Sequence, residues 1–445
     1  MAVVDYFLNL GATVFVPIVL IIIGLIFGQG FLKALRSGVI VGIGFVGLNL
    51  AISLISSILE PAVTQITERF DLHLTVIDVG SGAAAGITFS TLVGALIIPA
   101  VILLNLLLLL IGFTKTMNID IFNYSHYAFT GAVVHLLTGS IVIALSASLL
   151  QATWSLLSAD YSAKKVQTML GVDGISIPQG YAASTVPMFA FLETIYNRIP
   201  YLRDSKLDLS HLQKKFGTFG DPVIIGTILG IIIALLTGYN FADSANLVIG
   251  VVAIIVLFPR MVKIIVEGLI PISESAQEFF KKRLKGREVF IGLDSALTLG
   301  LPVTQIVGTM LIPITLILAV ILPGNKVLPL GDLAFIAFFT CMATIIHGNN
   351  ILKTIISGVI NIVIVLYIAT WFAPYFTQLA SQSDETDITG QTTSLWNGNI
   401  FDFIIVNLSR LEYIGILILI AITIPIGIFV KRKVAIDFSK NEGSE

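Results

Sequence analysis

Two aspartates, Asp78 and Asp294, stand beside apolar, glycine-broken stretches, Val79–Gly86 and Ile291–Gly300. An unpaired charge in such a setting costs at least a few kcal/mol, so each carboxylate must be used by something. One use is recognition, because a carboxylate accepts two hydroxyl hydrogen bonds from a polyol and charged acceptors make the stronger bonds. The other is structural, satisfying a helix start or the free amides of the broken segment. Asp120 and Asp332 precede apolar runs, where N-capping is the simple reading, and each is followed at an ungapped Asp-x14-His spacing by His135 or His347. An imidazole there can exchange hydrogen bonds with a sugar hydroxyl or assist removal of its proton; a satisfied core histidine is the equal alternative. In Gly44-Phe45-Val46-Gly47 the two glycines permit close helix packing, and Phe45 offers a flat face to a sugar ring. No spacing of the five histidines or the single cysteine, Cys341, makes a metal site, no phosphate-binding loop occurs, and no cofactor is indicated.

The elements that must hold these residues are membrane helices. Of 445 residues, 56% are hydrophobic and 12% charged, against about 25% charged in soluble chains, and the mean hydropathy is +0.98. Acidic and basic residues nearly cancel, which argues against a nucleic-acid partner. Eleven segments reach spanning length: 11–28, 38–58, 91–112, 121–138, 140–157, 222–238, 243–258, 304–323, 330–346, 352–373 and 411–430. The first is read as a retained helix, since no basic residue precedes Lys33. One 37-residue apolar run must turn back on itself at Thr138-Gly139-Ser140. An odd count puts the N-terminus outside and the C-terminus in the cytoplasm, leaving only Arg69, Lys326 and Arg410 of 25 basic residues outside. The fold class expected is an all-α polytopic membrane protein.

The series Pro61, Asp78, Pro99, Asp120, His135 recurs as Pro271, Asp294, Pro313, Asp332, His347, at offsets of 210, 216, 214, 212 and 212. With five spans per copy, the halves enter the membrane in opposite senses. The chain is therefore divided into a first inverted repeat, 1–157, with a re-entrant hairpin near 76–90; a cytoplasmic connector, 158–221; a second repeat, 222–373, with a hairpin near 289–303; an extracellular loop, 374–410, read as a solvated connector or a lid; and a last helix and tail, 411–445. The basic cluster Lys281–Arg287 follows an amphipathic stretch from Ile272 suited to the lipid surface or a protein partner.

Seven blocks, in order, carry a family resemblance: Gly42-Ile-Gly-Phe-Val-Gly47, Phe70–Gly80, Phe129-Thr-Gly-Ala, His135-Leu-x-Thr-Gly-Ser140, Lys215–Val223, Ile291-Gly-Leu-Asp-x-Ala-Leu297 and Val327–Leu333. Together, over about residues 8–435, they resemble the galactitol-type IIC membrane component of the bacterial phosphoenolpyruvate-dependent phosphotransferase system, within the ascorbate and galactitol superfamily. The resemblance implies a homodimer in the bacterial cell membrane, with a scaffold and a mobile core that carries a polyol or sugar across in elevator fashion. It also implies a phosphocysteine on a separate IIB protein, fed by IIA, as phosphoryl donor, so this chain is the substrate-binding, translocating part of a phosphotransferase without a phosphorylated residue of its own. Substrate contacts implied are Gly44, Phe45, Asp78, His135 and Asp294, with Asp332 and His347 added. The chain departs from the family at Gln179, where the Ile-Pro-x-Gly loop commonly has histidine. The competing class is an ion-coupled secondary transporter using Asp78, Asp294 or a histidine as a proton relay.

Overall fold

Lipid offers no hydrogen-bond partner to an open backbone, so the Leu, Ile and Val runs fold into helices that satisfy their own amides. The computed structural model describes residues 11–71, 74–120, 124–205, 222–283, 288–329, 331–382 and 390–439. In chain order its elements are α1 (Gly11–Ile26), α2 (Phe31–Arg69), β1 (Val76–Asp78), α3 (Gly80–Phe89), α4 (Leu92–Leu110), β2 (Thr116–Asn118), α5 (Ser125–Thr138), α6 (Ile141–Leu170), β3 (Ile175–Ser176) and α7 (Gly180–Tyr196). The second part continues with α8 (Pro222–Thr237), α9 (Phe241–Arg283), β4 (Phe290–Gly292), a 3-10 turn (Ser295–Gly300), α10 (Pro302–Ile321), β5 (Val327–Leu328), a 3-10 turn (Leu333–Phe335), α11 (Ile336–Ile346) and α12 (Ile351–Ser381). It ends with β6 (Gln391–Thr393), a 3-10 turn (Leu395–Asn397), α13 (Ile400–Ser409) and α14 (Glu412–Ser439).

Five of these helices, α4, α6, α10, α12 and most of α14, are long and apolar enough to cross a membrane, and shorter apolar helices accompany them. The chain is a mostly helical, polytopic membrane protein. The 37-residue apolar run does break where expected: Gly139 adopts φ 68°, which closes α5, and the Ser140 hydroxyl caps α6 by accepting from Ile143 N–H. Several helices overrun their expected ends, because the intrahelical ladder does not stop at the edge of an apolar run. Thus α9 extends over 43 residues, about 64 Å at 1.5 Å per residue, and absorbs the amphipathic stretch from Ile272. Residues 284–287, with Lys285 and Arg287 of the basic cluster, lie outside the described residues.

The expectation of an all-α fold needs correction. Three-residue and two-residue strands form two small parallel sheets, ordered β5-β1-β6 and β2-β4-β3. The cause is the broken segments themselves, whose amides and carbonyls find partners only in other broken segments. Each central strand comes from one part of the chain and its two neighbours from the other. The pattern recurs closely: Val79 N–H donates to Thr393 O and Leu293 N–H to Ser176 O, both at 2.9 Å, while Gly331 N–H donates to Asp78 O and Ile119 N–H to Gly292 O, both at 3.2 Å.

Two segments read as connectors are built into this interior. Residues 175–196, inside the 158–221 connector, supply β3 and α7, whose first seven residues are buried. Residues 391–409, inside the 374–410 loop, supply β6 and α13; there Asp402 is fully buried, accepting from Thr130 and Asn399 and meeting the Gln151 amide. A solvated connector could not have held that carboxylate. Helices α1, α2, α8 and α9 pack mainly on one another and meet the rest through the 3-10 turns after β4 and β5 and through α10.

Candidate functional site

At the first sheet, Asp78 ends β1 and Asp332 follows β5. Asp78 Oδ1 accepts from the amides of Gly80 (3.1 Å) and Leu395 (3.2 Å), and Oδ2 from Asp332 N–H (2.7 Å). Asp332 Oδ1 accepts from Ser81 N–H (2.7 Å), while Oδ2 accepts from the Ser394 hydroxyl (2.8 Å) and Trp396 N–H (3.1 Å). The two carboxylates are 2% and 0% exposed. Two carboxyl groups are thereby placed against the N-terminal amides of α3 and the turn after β6, where a helix start carries unpaired donors. This is the structural use that the sequence left open for Asp78, and it binds three distant pieces of chain together.

At the second sheet the chemistry differs. By the matched strand hydrogen bonds, Gly292 occupies the place of Asp78, and Asp294 that of Gly80; the two aspartates share a rank in the sequence series, but their offset of 216 exceeds the strand offset of 214 by two residues. Asp294 caps the turn Ser295–Gly300, accepting from Ala296 N–H at 2.6 Å. It lines a cavity of about 30 Å³ with Asp120, Ile119, Leu293, Ala296 and Leu297, closed on the other side by Leu20, Val41, Ile265 and Leu269, a volume near one water's share of liquid. Gly44 does not line it but packs against Ile265: a Cβ there would lie 2.8 Å from Ile265 N, so glycine permits the α2–α9 approach. The Phe45 side chain lies outside the described residues.

The two histidines diverge as well. His135, in the last turn of α5, has no hydrogen-bond partner for Nδ1 among the described residues. His347 is held on both sides, Nδ1 by Glu193 Oε2 at 2.6 Å and Nε2 by Ser357 Oγ at 2.8 Å. Ser357 also meets Tyr196 OH at 3.0 Å, and Lys353 Nζ binds Glu193 Oε1 at 2.9 Å. The network joins α7 to the α11–α12 turn.

Burial works to raise the Glu193 carboxyl, but hydrogen bonds from His347 and Lys353 outweigh it and hold the group at about 2. Burial also pushes the His347 imidazole below its ordinary value of 6.5, against the pull of Glu193. Both groups bind fewer protons folded than unfolded, so stability rises with pH through this range. The His347 contribution is complete above 6.5 and fades on acidification below it, while the Glu193 contribution is complete above 4.5 and fades toward 2. The melting temperature of the detergent-solubilised protein is therefore expected to fall between pH 7 and pH 4, and more steeply in Glu193→Gln, which removes the carboxylate that pulls the folded imidazole up. Equal slopes would remove Glu193 from the account.

A family model described as the PTS system sugar-specific permease component, EIIC-GAT, matches residues 6–390. The chain belongs to this family. It is 50% identical over 431 residues to an Escherichia coli K12 protein named only as a permease IIC component, covering 96% of this chain and 99% of that one. It is 36% identical over 441 residues to the PTS system galactitol-specific EIIC components of E. coli K12 and E. coli O157:H7, covering 99% of this chain and 98% of each.

In this permease the structure brings Asp78 and Asp332 to one sheet, sets Asp294 beside Asp120 at a small cavity with Gly44 packed behind its Ile265, and seats His347 in a separate polar network. A further cluster escaped the sequence reading. Gln179, the family departure, caps α7 by accepting from Ala182 N–H at 2.6 Å, and its amide nitrogen lies 2.9 Å from His126 Nε2. The His126 ring is 5.3 Å from that of Trp396, which stacks on Tyr181 at 5.5 Å and meets Phe338 and Phe339 edge-on. His126 lies outside the repeated Asp-x14-His pattern, and Trp396 lies in the segment read as a loop. The odd residue in Ile-Pro-Gln179-Gly was the only available signal.

Proposed function

We propose that this permease component binds a polyol or sugar of the galactitol kind and carries it across the membrane. A separate IIB protein then phosphorylates a substrate hydroxyl from its phosphocysteine. The observation that carries the reading is the 36% identity to galactitol-specific EIIC components over nearly the whole chain; a water-sized cavity bearing Asp120 and Asp294 marks the seam between the α1, α2, α8, α9 group and the hairpin that follows β4. A site on such a seam suits an elevator, in which the four-helix group is the scaffold of a homodimer and the remainder moves with the substrate. The exchanged strands support two inverted repeats that run further than their spans: β3 and β6 belong to them, although they lie in the segments expected to be connectors. The excess of Lys and Arg on the segments read as cytoplasmic supports an N-terminus outside and a C-terminus in the cytoplasm.

Phosphoryl transfer depends mostly on positioning and charge stabilisation, so a membrane subunit contributes by holding the hydroxyl in line. Cys341, the only cysteine, is 1% exposed inside α11, which supports a phosphoryl donor on another chain. Asp78 and Asp332 spend their oxygens on the fold, which weighs against a proton relay through them. The test is uptake of labelled galactitol, other hexitols and pentitols in cells with and without the partner IIB. Phosphorylated product is expected only with IIB, and full-rate accumulation of unmodified substrate without it would overturn the coupling.

A further inference from the structure

We propose that the Nδ1–H of His126 donates a hydrogen bond to an oxygen of the transported polyol or sugar. The assignment begins with Gln179. Its Oε1 is committed to the Ala182 amide, which fixes the orientation of the side chain and points the NH2 group at His126 Nε2. An amide NH2 only donates, so Nε2 must accept, and the neutral imidazole then carries its proton on Nδ1. His126 is 0% exposed, and Nδ1 has no partner among the described residues.

The other ring positions are accounted for. A Cβ on Gly180 would lie 2.6, 2.9 and 3.0 Å from Cβ, Cγ and Cδ2 of His126, so backbone closes the Cδ2 edge, and Nδ1 is on the opposite one. Trp396, Tyr181 and Phe339 make the surroundings aromatic, and Trp396 is itself fixed through its amide to Asp332. A buried N–H without an acceptor costs about 1–3 kcal/mol. A hydroxyl or carbonyl oxygen of a ligand removes that cost when it arrives, and an apolar ligand does not. The donor thus selects for the oxygen-rich substrate class, and the inference rests on the proposed transport function.

The test uses two near-isosteres in the full-length protein. In His126→Asn the side-chain amide can place an N–H near the Nδ1 position; in His126→Gln the amide oxygen reaches the Nε2 position, keeping the partner of Gln179 but leaving no donor at Nδ1. KM for phosphoenolpyruvate-dependent uptake is measured with whichever of galactitol, the other hexitols or the pentitols the parent protein takes up. His126→Gln is expected to fold normally and raise KM about tenfold, the worth of about 1.4 kcal/mol, with kcat little changed, while His126→Asn stays within about threefold. A His126→Gln KM within twofold of the parent, or an equal loss in both variants, overturns the assignment while the transport reading stands. No coupled uptake of any polyol by the parent overturns both. Independently, a protein carrying Trp154→Phe and Trp371→Phe keeps Trp396 as its only tryptophan. Its fluorescence is expected to change on saturation with the same polyol, and an unchanged spectrum places the substrate elsewhere.

Discussion

Replacing Asp332 with alanine will prevent recovery of folded protein and abolish uptake. The substitution removes at one stroke the acceptors of Ser81 N–H and the Ser394 hydroxyl and one of the two that Trp396 N–H shares, in a place that water does not reach. Each buried donor left without a partner costs about 1–3 kcal/mol, and whole domains are stable by only about 5–15 kcal/mol. The three donors belong to α3 and to the turn after β6, so the loss releases both from the β5 end. Asp332→Asn is expected to fall between alanine and the parent, because its amide keeps one acceptor oxygen and turns an NH2 group toward a backbone donor. Yield and melting temperature in detergent give the readout. If Asp332→Ala melts with the parent and loses only substrate affinity, the carboxylate serves the ligand and not the fold.

Gly331→Ala, one residue away, is expected to be nearly as damaging for a steric reason. A Cβ at this position would collide with the Gly80 amide nitrogen and lie 2.6 Å from the Val79 carbonyl carbon. Both are backbone atoms of the crossing that β1 makes with the chain after β5, so no side chain can swing aside. The hydrogen bond from Gly331 N–H to Asp78 O would be lost with the displacement, and a destabilisation of several kcal/mol, about 3 or more, is expected for an overpacked, unyielding site. Gly82→Ala supplies the control. It sits in the same short helix α3, where an added methyl would meet nothing within 4 Å, and should stabilise by about 0.5–1 kcal/mol through helix propensity. Equal melting temperatures for the two variants would show that the crossing is looser than its geometry implies.

The sequence series paired Asp78 with Asp294, and composition could do no better, because both are aspartates next to glycine-broken apolar stretches. Strand register separates them: one carboxylate bridges chain segments, and the other caps a turn at a cavity wall. The same limit hid β3 and β6. Strands of two or three residues carry no usable periodicity, and their partners lie more than a hundred residues away in every pair. It hid α7 and α13 as well, since polar residues such as Asp402 read as solvated until Thr130, Gln151 and Asn399 are seen around them.

What the sequence determined by itself follows from local chemistry: apolar runs that must be helical in lipid, a glycine at 139 that must end one of them, glycine-broken stretches that cannot cross, and a family likeness spread over the whole chain. What only the tertiary structure decided is which donor faces which acceptor. That choice depends on bringing together residues such as Asp78 and Leu395, or His126 and Gln179, and a hydrogen bond acts over about 3 Å regardless of the length of chain between its partners.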